Sequence, residues 1–103
     1  MSSNLILRFT PEARTDLLEI FEYISNKLVA PMAASNLIDK IEAECKRLTS
    51  FPLIGSIPRD DTLAKKGYRM LDVNNFIVFY TVDEPCVIIM RVMYGRRNYS
   101  HLL

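Results

Sequence analysis

The end of the chain carries the side chains that are best suited to chemistry. Residues 91–103 contain no acidic residue, and their basic side chains are Arg91, Arg96, Arg97 and His101. Guanidinium groups bind phosphates and carboxylates in a planar, two-point geometry, and the nearby Tyr99 could move a proton. This segment is therefore the first candidate for a phosphate site or for a contact with an acidic protein segment.

A surface on predicted strands is the second candidate. Side chains alternate between the two faces of a strand, so Ile77 and Phe79 share a face of one predicted strand. Arg91 and Met93 share a face of the next. Burying a guanidinium without a partner is costly, so we expect Arg91 and Arg69 on the sheet face that carries no helix, among apolar residues typical of protein-docking surfaces. The alternative is that each arginine forms a surface ion pair with Asp72 or with an acidic residue of a helix.

The elements that must position these residues begin with a strand and two helices. Alternating apolar residues predict a short strand at residues 5–9, and the Thr-Pro-Glu sequence at residues 10–12 is typical of a helix start. Apolar residues then recur at steps of three and four; they are Ala13, Leu17, Ile20, Phe21, Ile24 and Leu28. Ala30-Pro31 interrupts this pattern and starts a second helix. A break this short predicts a helical hairpin.

Three strand patterns follow an irregular connection at residues 52–67. They cover residues 68–73, 76–82 and 86–94, with turns between them. The order of elements predicts an α+β fold in which an N-terminal strand and an α-helical hairpin precede a three-stranded antiparallel meander. Both helices are expected to pack on one face of the sheet.

The composition is that of one globular domain spanning residues 1–103. Half of the residues are hydrophobic, and 13 basic against 12 acidic residues leave a formal net charge of +1, which does not favour a general nucleic-acid binder. No apolar run is long enough for a membrane span and no N-terminal segment resembles an export signal, so we expect a cytoplasmic protein. Cys45 and Cys86 have no metal-ligand spacing; we interpret them as free thiols and expect no metal and no cofactor.

Four segments stand in an informative order along the chain: FPLIGSIPRD, YRML, NNFIVFYTVDE and IIMRVMYGRRNY. Together they resemble the RelE/ParE toxins of bacterial type II toxin–antitoxin systems, and the resemblance covers nearly the whole chain. It implies a toxin of the plasmid-stabilisation type, which inhibits growth until a cognate antitoxin neutralises it. A homodimer and a toxin–antitoxin hetero-oligomer are both left open.

The superfamily has two main activities, and the resemblance is closer to the ParE-like members. These poison DNA gyrase by binding it, whereas RelE-like members cut mRNA on the ribosome without a metal. The nucleases are similar to one another in carrying an arginine on the middle strand where this chain has Ile77, and Leu71 stands where a second cation is expected. The Gly-Arg-Arg-Asn block at residues 95–98 resembles the end of ParE-like members.

Each branch implies its own set of functional residues. In the ParE-like interpretation, residues that bind the target or the antitoxin are Arg69, Ile77, Phe79, Arg91, Met93, Arg96 and Arg97. In the RelE-like alternative, an endoribonuclease in which the RNA 2′-hydroxyl attacks the phosphate, the catalytic residues are Arg69, Arg91, Arg97 and Tyr99. A third interpretation is a degenerate protein that only binds the antitoxin. The predicted partners are the antitoxin and either gyrase or the ribosome with its mRNA.

Overall fold

A computed structural model of the chain describes residues 4–95 and 103. Its elements in chain order are β1 (Ile6–Phe9), α1 (Pro11–Glu22), α2 (Pro31–Arg47), α3 (Asp61–Lys65), β2 (Arg69–Val73), β3 (Phe76–Asp83) and β4 (Cys86–Tyr94). A π-helical segment, Tyr23–Lys27, continues α1 toward the hairpin turn. The predicted α+β class is confirmed, with the helical hairpin and the meander in the expected order.

The four strands form one sheet in the order β1-β4-β3-β2. The meander pairs antiparallel, whereas β1 lies parallel to β4, with Leu7 opposite Val87 and Phe9 opposite Ile89. Parallel neighbours need a long crossover connection, and the helical hairpin begins that connection after β1. The chain therefore returns to pair its last strand with its first.

The start of α1 fastens the helix to the sheet. The Thr10 hydroxyl accepts a hydrogen bond from the Ala13 amide at 3.0 Å, and Pro11 occupies the first helical turn, as the sequence predicted. The same hydroxyl donates to the Met90 carbonyl at 2.8 Å, and the Thr10 amide donates to the Ile89 carbonyl. One residue thus caps the helix and continues the pairing of β4 beyond the end of β1.

The main core lies between the helical hairpin and one face of the sheet, which we call the helix-side face. The helices and the residue that ends α2 contribute Ala13, Ile41, Cys45 and Leu48 to it. Its buried sheet residues are Val73, Val78, Tyr80, Val87, Ile89 and Val92. Burying an aliphatic side chain of this size contributes about 1.5–3 kcal/mol, so this layer is the main source of stability.

The opposite face of the sheet, which we call the second face, is covered. A smaller cluster buries Leu63, Tyr68, Ile77, Phe79 and Met93 there. Leu63 comes from α3, a short helix inside the stretch predicted to be irregular, and the Asp60 side chain caps it by accepting from the Leu63 amide at 3.0 Å. The expectation of an open second face was therefore wrong, because α3 supplies a cover that the apolar periodicity of residues 52–67 did not reveal.

A β-bulge shifts the faces of β4. Phe79 pairs with Arg91, but the next residue of β3, Tyr80, pairs with Ile89, so Met90 is the extra residue. Strict alternation would place Ile89 on the same face as Arg91. The bulge instead moves Ile89 into the main core, and a bulge is not visible in the periodicity of a sequence.

The tip of the helical hairpin is apolar and exposed. The exposed fractions of Leu28, Val29 and Met32 are 56%, 80% and 76%. Val29 has φ of 52°, in the left-handed region that β-branched residues rarely adopt. The short turn between the two helices therefore carries local backbone strain at Val29.

Candidate functional site

Arg91 and Asp16 form the central polar contact between α1 and β4. The Arg91 Nε and Nη2 atoms donate to the two carboxylate oxygens of Asp16 at 2.7 and 2.9 Å. The same carboxylate accepts from the Val92 amide at 2.9 Å. Asp16 is only 8% exposed, and hydrogen bonding to it raises the pKa of Arg91 above its ordinary value. This is a two-point, charge-assisted contact that fixes both side chains.

The position of this pair follows from the length of β1. The parallel pairing of β1 ends at Ile89, so the next backbone groups of β4 need other partners. Thr10 satisfies the Met90 carbonyl, and Asp16 satisfies the Val92 amide. The alternative interpretation of Arg91, an ion pair with an acidic helix residue, is confirmed, although the pair is largely buried and not on the surface.

Sequence reasoning missed Asp16. The residue lies three positions after Ala13 and four before Ile20, inside the apolar stripe of α1. A carboxylate on the buried side of a helix requires a cationic or hydrogen-bonding partner. An acidic residue inside an apolar stripe was therefore the available signal, but the sequence alone did not show which basic residue would pair with it.

A groove of about 640 Å³ lies beside this ion pair. Its lining residues come from α1, the π-helical segment and the ends of β3 and β4; they are Asp16, Glu19, Ile20, Tyr23, Ile24, Phe76, Arg91, Val92, Met93 and Tyr94. The rings of Phe76 and Tyr94 meet edge to face, with centroids 5.8 Å apart. Two exposed tyrosines, Tyr23 and Tyr94, stand among these lining residues. The groove thus combines apolar side chains and tyrosines with three charged residues at its wall, a composition that suits an amphipathic protein segment.

Arg69 lies on the helix-side face rather than on the second face. It pairs with Tyr80 of the main core, and the next residue of β2, Met70, packs against the second-face cluster. Its Nη1 donates to the Gly55 carbonyl at 2.8 Å and lies 3.4 Å from the Leu53 carbonyl. The expected common surface of Arg69 and Arg91 was therefore wrong, because each guanidinium is held by a different segment.

The buried side chain of Tyr80 holds the same stretch of backbone, residues 52–55. Its hydroxyl donates to the Pro52 carbonyl at 2.7 Å and accepts from the Gly55 amide at 3.0 Å. Burial raises the pKa of the Tyr80 hydroxyl above its ordinary value of 10.0, against the smaller opposing effects of the Gly55 hydrogen bond and the Arg69 charge. A side chain on Gly55 would come within 2.6 Å of that hydroxyl and 2.7 Å of the Met70 carbonyl, so only glycine fits.

These contacts connect two of the segments that carried the resemblance. The FPLIG segment and the strand segment that ends near Tyr80 were separate motifs in the sequence. In the structure they are joined through one buried hydroxyl, and Arg69 of the YRML segment completes the contact. Three motifs that are separate in the sequence thus meet in one tertiary contact.

The other predicted site residues divide into two groups. Ile77, Phe79 and Met93 lie together on the second face, as expected, but are 8%, 0% and 4% exposed. They are core residues of the smaller cluster, since α3 and Leu103 pack over them. The remaining predicted residues lie outside the residues that the structure describes; they are Arg96, Arg97, Tyr99 and His101.

Two further observations on the described ranges, 4–95 and 103, concern metal sites and membrane-spanning helices. No group of three or more histidine, cysteine, aspartate or glutamate residues there is arranged to hold a metal ion. Among the helices described, none combines the length and apolar character needed to cross a membrane.

Comparisons with known proteins are consistent with one family. A family model described as "ParE toxin of type II toxin-antitoxin system, parDE" matches residues 7–99. The toxin ParE3 of Caulobacter vibrioides is 34% identical over 65 residues, which are 63% of this chain and 62% of that protein. The match thus spans less than two thirds of this relative's length.

Two solved structures share the fold. A structure titled as the chromosomal ParDE toxin–antitoxin system from P. aeruginosa matches with a TM-score of 0.75 and 22% identity, covering 90% of this chain and 98% of that one. The toxin–antitoxin complex RelBE2 from Mycobacterium tuberculosis matches with a TM-score of 0.61 and 23% identity, covering 89% and 99%.

Proposed function

The chain belongs to the ParE toxin family of type II toxin–antitoxin systems, and we propose that it inhibits growth by binding a target protein. DNA gyrase is the proposed target, and a cognate antitoxin is proposed to neutralise the toxin. Family membership rests on the match over residues 7–99. The mode of action is argued from the placement of the two described arginines.

The separation of Arg69 and Arg91 is the observation that carries the proposal. A metal-free ribonuclease needs several cations around one phosphate to stabilise the charge that develops in the transition state. Arg69 and Arg91 lie on strands separated by β3 and on opposite faces of the sheet, since Arg69 pairs with Tyr80 of the main core and Arg91 pairs with Phe79 of the smaller cluster. One is held by the backbone of residues 53–55 and the other by Asp16. This arrangement supports binding rather than phosphate chemistry.

The groove beside α1 supports the proposed antitoxin contact. Apolar side chains and two exposed tyrosines suit the apolar side of an amphipathic segment. The similar structures from P. aeruginosa and M. tuberculosis are titled as a toxin–antitoxin system and a toxin–antitoxin complex. By analogy, we assign this groove to the antitoxin of the present chain.

The mode of action is tested by pulse labelling after controlled induction in bacteria that lack the antitoxin. Thymidine and amino-acid incorporation are followed side by side, and purified gyrase is assayed for supercoiling with and without the toxin. We expect DNA synthesis to fall first and supercoiling to be inhibited. Protein synthesis that falls within minutes, with gyrase unaffected, would contradict the gyrase proposal.

The antitoxin contact is tested with a pair of truncations on the same helical hairpin. Tyr23 and Leu18 are both 57% exposed, but only Tyr23 lines the groove. Binding is measured with the proposed cognate antitoxin as the probe. Tyr23→Ala is expected to weaken that binding by about tenfold or more, as an aromatic anchor does, and Leu18→Ala by less than about threefold. Equal effects of the two variants would remove the groove from the interface.

A further inference from the structure

The segment of residues 51–57, which we call the apolar loop, has no role in the groove. We propose that the apolar loop is a second docking surface, which receives an acidic segment of the target protein that also carries apolar side chains. This inference rests on the proposed function, because it assigns the target a surface separate from the antitoxin's. It is carried by the exposure of the loop, by its fixed backbone and by the charge beside it.

The apolar loop exposes large apolar side chains at four of its seven positions. Phe51, Leu53, Ile54 and Ile57 are 56%, 65%, 45% and 58% exposed. Single exposed apolar residues are common on protein surfaces, but four of them within seven residues are unusual, and a concentration of exposed apolar side chains is typical of an interaction site or an aggregation liability. A loop that only connects α2 with α3 would not need this composition.

The backbone of the apolar loop is nevertheless held firmly. The Tyr80 hydroxyl contacts Pro52 and Gly55, and Arg69 donates to the Gly55 carbonyl. Ser56 exchanges two backbone hydrogen bonds with Met70, each 2.8 Å long, which seats the loop on the edge of β2. A loop already fixed in its bound shape loses little conformational entropy on binding, so its apolar side chains contribute more to affinity.

The positive charge beside the apolar loop favours an acidic partner segment. Arg69 is half-buried, and among residues 4–95 and 103 no carboxylate lies within ion-pair distance of it. Residues 51–69 carry four basic and two acidic side chains, and one of those acids, Asp60, is used to cap α3. A carboxylate flanked by apolar side chains would complement this surface, with the arginine as its polar anchor.

The apolar loop and the groove are different surfaces. No residue of 51–57 lines the groove, whose walls are α1, the π-helical segment and the ends of β3 and β4. The loop lies instead at the other edge of the sheet, against β2. Substitutions can therefore affect one contact and leave the other intact.

The test is a pair of substitutions at one position that differ only in charge. Leu53→Asp and Leu53→Lys both remove the same exposed apolar side chain, so any difference between them reports the charge of the partner. Growth inhibition is measured as loss of colony formation after induction, a readout that does not require the target to be identified. Binding to the proposed cognate antitoxin and the melting temperature are measured on the same purified variants. Leu18→Asp and Leu18→Lys, at an exposed position within α1 that does not line the groove, control for the change in net charge.

We expect Leu53→Asp to need about tenfold more toxin than Leu53→Lys for the same growth inhibition, because like charges across an interface repel. Both variants are expected to keep the wild-type antitoxin affinity within about threefold, and the Leu18 pair to remain equal in toxicity. Equal toxicity of the two Leu53 variants would overturn the inference, as would a selective loss of antitoxin binding in Leu53→Asp. A wild-type chain that fails to inhibit growth would instead refute the proposed function itself.

Discussion

Replacing Asp16 with alanine tests the contact that joins α1 to β4. The substitution removes the acceptor of three hydrogen bonds, two from Arg91 and one from the Val92 amide. It leaves the Arg91 guanidinium without this carboxylate and the buried Val92 amide without its acceptor. We therefore expect a large loss of stability, although the substitution lies on the helix surface nearest the groove and not in the centre of the core.

The magnitude follows from the burial of each group. A buried amide left without an acceptor costs about 1–3 kcal/mol. Removing one partner of a fully buried ion pair costs about 3–5 kcal/mol, but the Arg91 side chain is 25% exposed and water can reach it, so we assign it about 1–2 kcal/mol. The two contributions give a decrease of about 3 kcal/mol in the free energy of unfolding. For a domain of this size that lowers the melting temperature by roughly 12 °C or more.

The assay is urea unfolding followed by far-ultraviolet circular dichroism, since the chain has no tryptophan. Glu44→Ala is the control, because Glu44 pairs with Arg47 at 3.0 Å in an exposed contact that is worth less than about 1 kcal/mol. Combining Asp16→Ala with Arg91→Met then closes a double-mutant cycle, with an expected coupling of about 1–2 kcal/mol. If Asp16→Ala costs no more than Glu44→Ala, this pair does not organise the end of β4.

Three further predictions concern stability and reactivity. Tyr80→Phe leaves the Gly55 amide and the Pro52 carbonyl without this partner, and it should lower the free energy of unfolding by about 1–3 kcal/mol at neutral pH. Because the pKa of Tyr80 is raised in the folded state, the wild-type chain should also lose stability above about pH 10, where the phenol of the unfolded chain ionises. In urea titrations at several pH values, Tyr80→Phe should lose less stability over that range. Burial, with smaller effects of nearby glutamates, raises the pKa of Cys45 to about 12, so iodoacetamide at pH 8 should label Cys86 and spare Cys45 until the chain unfolds, as mass spectrometry would show. Val29→Gly should raise the free energy of unfolding by about 0.5–1 kcal/mol, because glycine adopts its positive φ without strain; an unchanged urea midpoint would contradict that.

Much of the fold was predictable because its signals are local. The helix start at Thr10 and Pro11 depends on contacts within three residues, and the bounds of β4 match the predicted strand. Periodicity correctly separated the two helices from the meander. The short helix α3 was missed, since its five residues are too few for a periodic pattern and its stability comes from the Asp60 cap and from Leu63 in the core.

The candidate site was less predictable, because its contacts join distant parts of the chain. The sequence alone identified Arg69 and Arg91 as functional candidates and placed them on the strands that became β2 and β4. It also carried the resemblance to the toxin family. It did not determine what each arginine binds, since Asp16 lies 75 residues from Arg91 and Gly55 lies 14 residues from Arg69.

Only the tertiary structure decided which surfaces are open. A single bulge at Met90 and the cover supplied by α3 turned the predicted docking face into core. Exposed apolar side chains lie instead on the loop that Tyr80 and Arg69 hold and at the tip of the helical hairpin. The physical reason is that side-chain type fixes what a residue can bind, whereas exposure depends on which other segments pack over it, and that is settled only when the whole chain is folded.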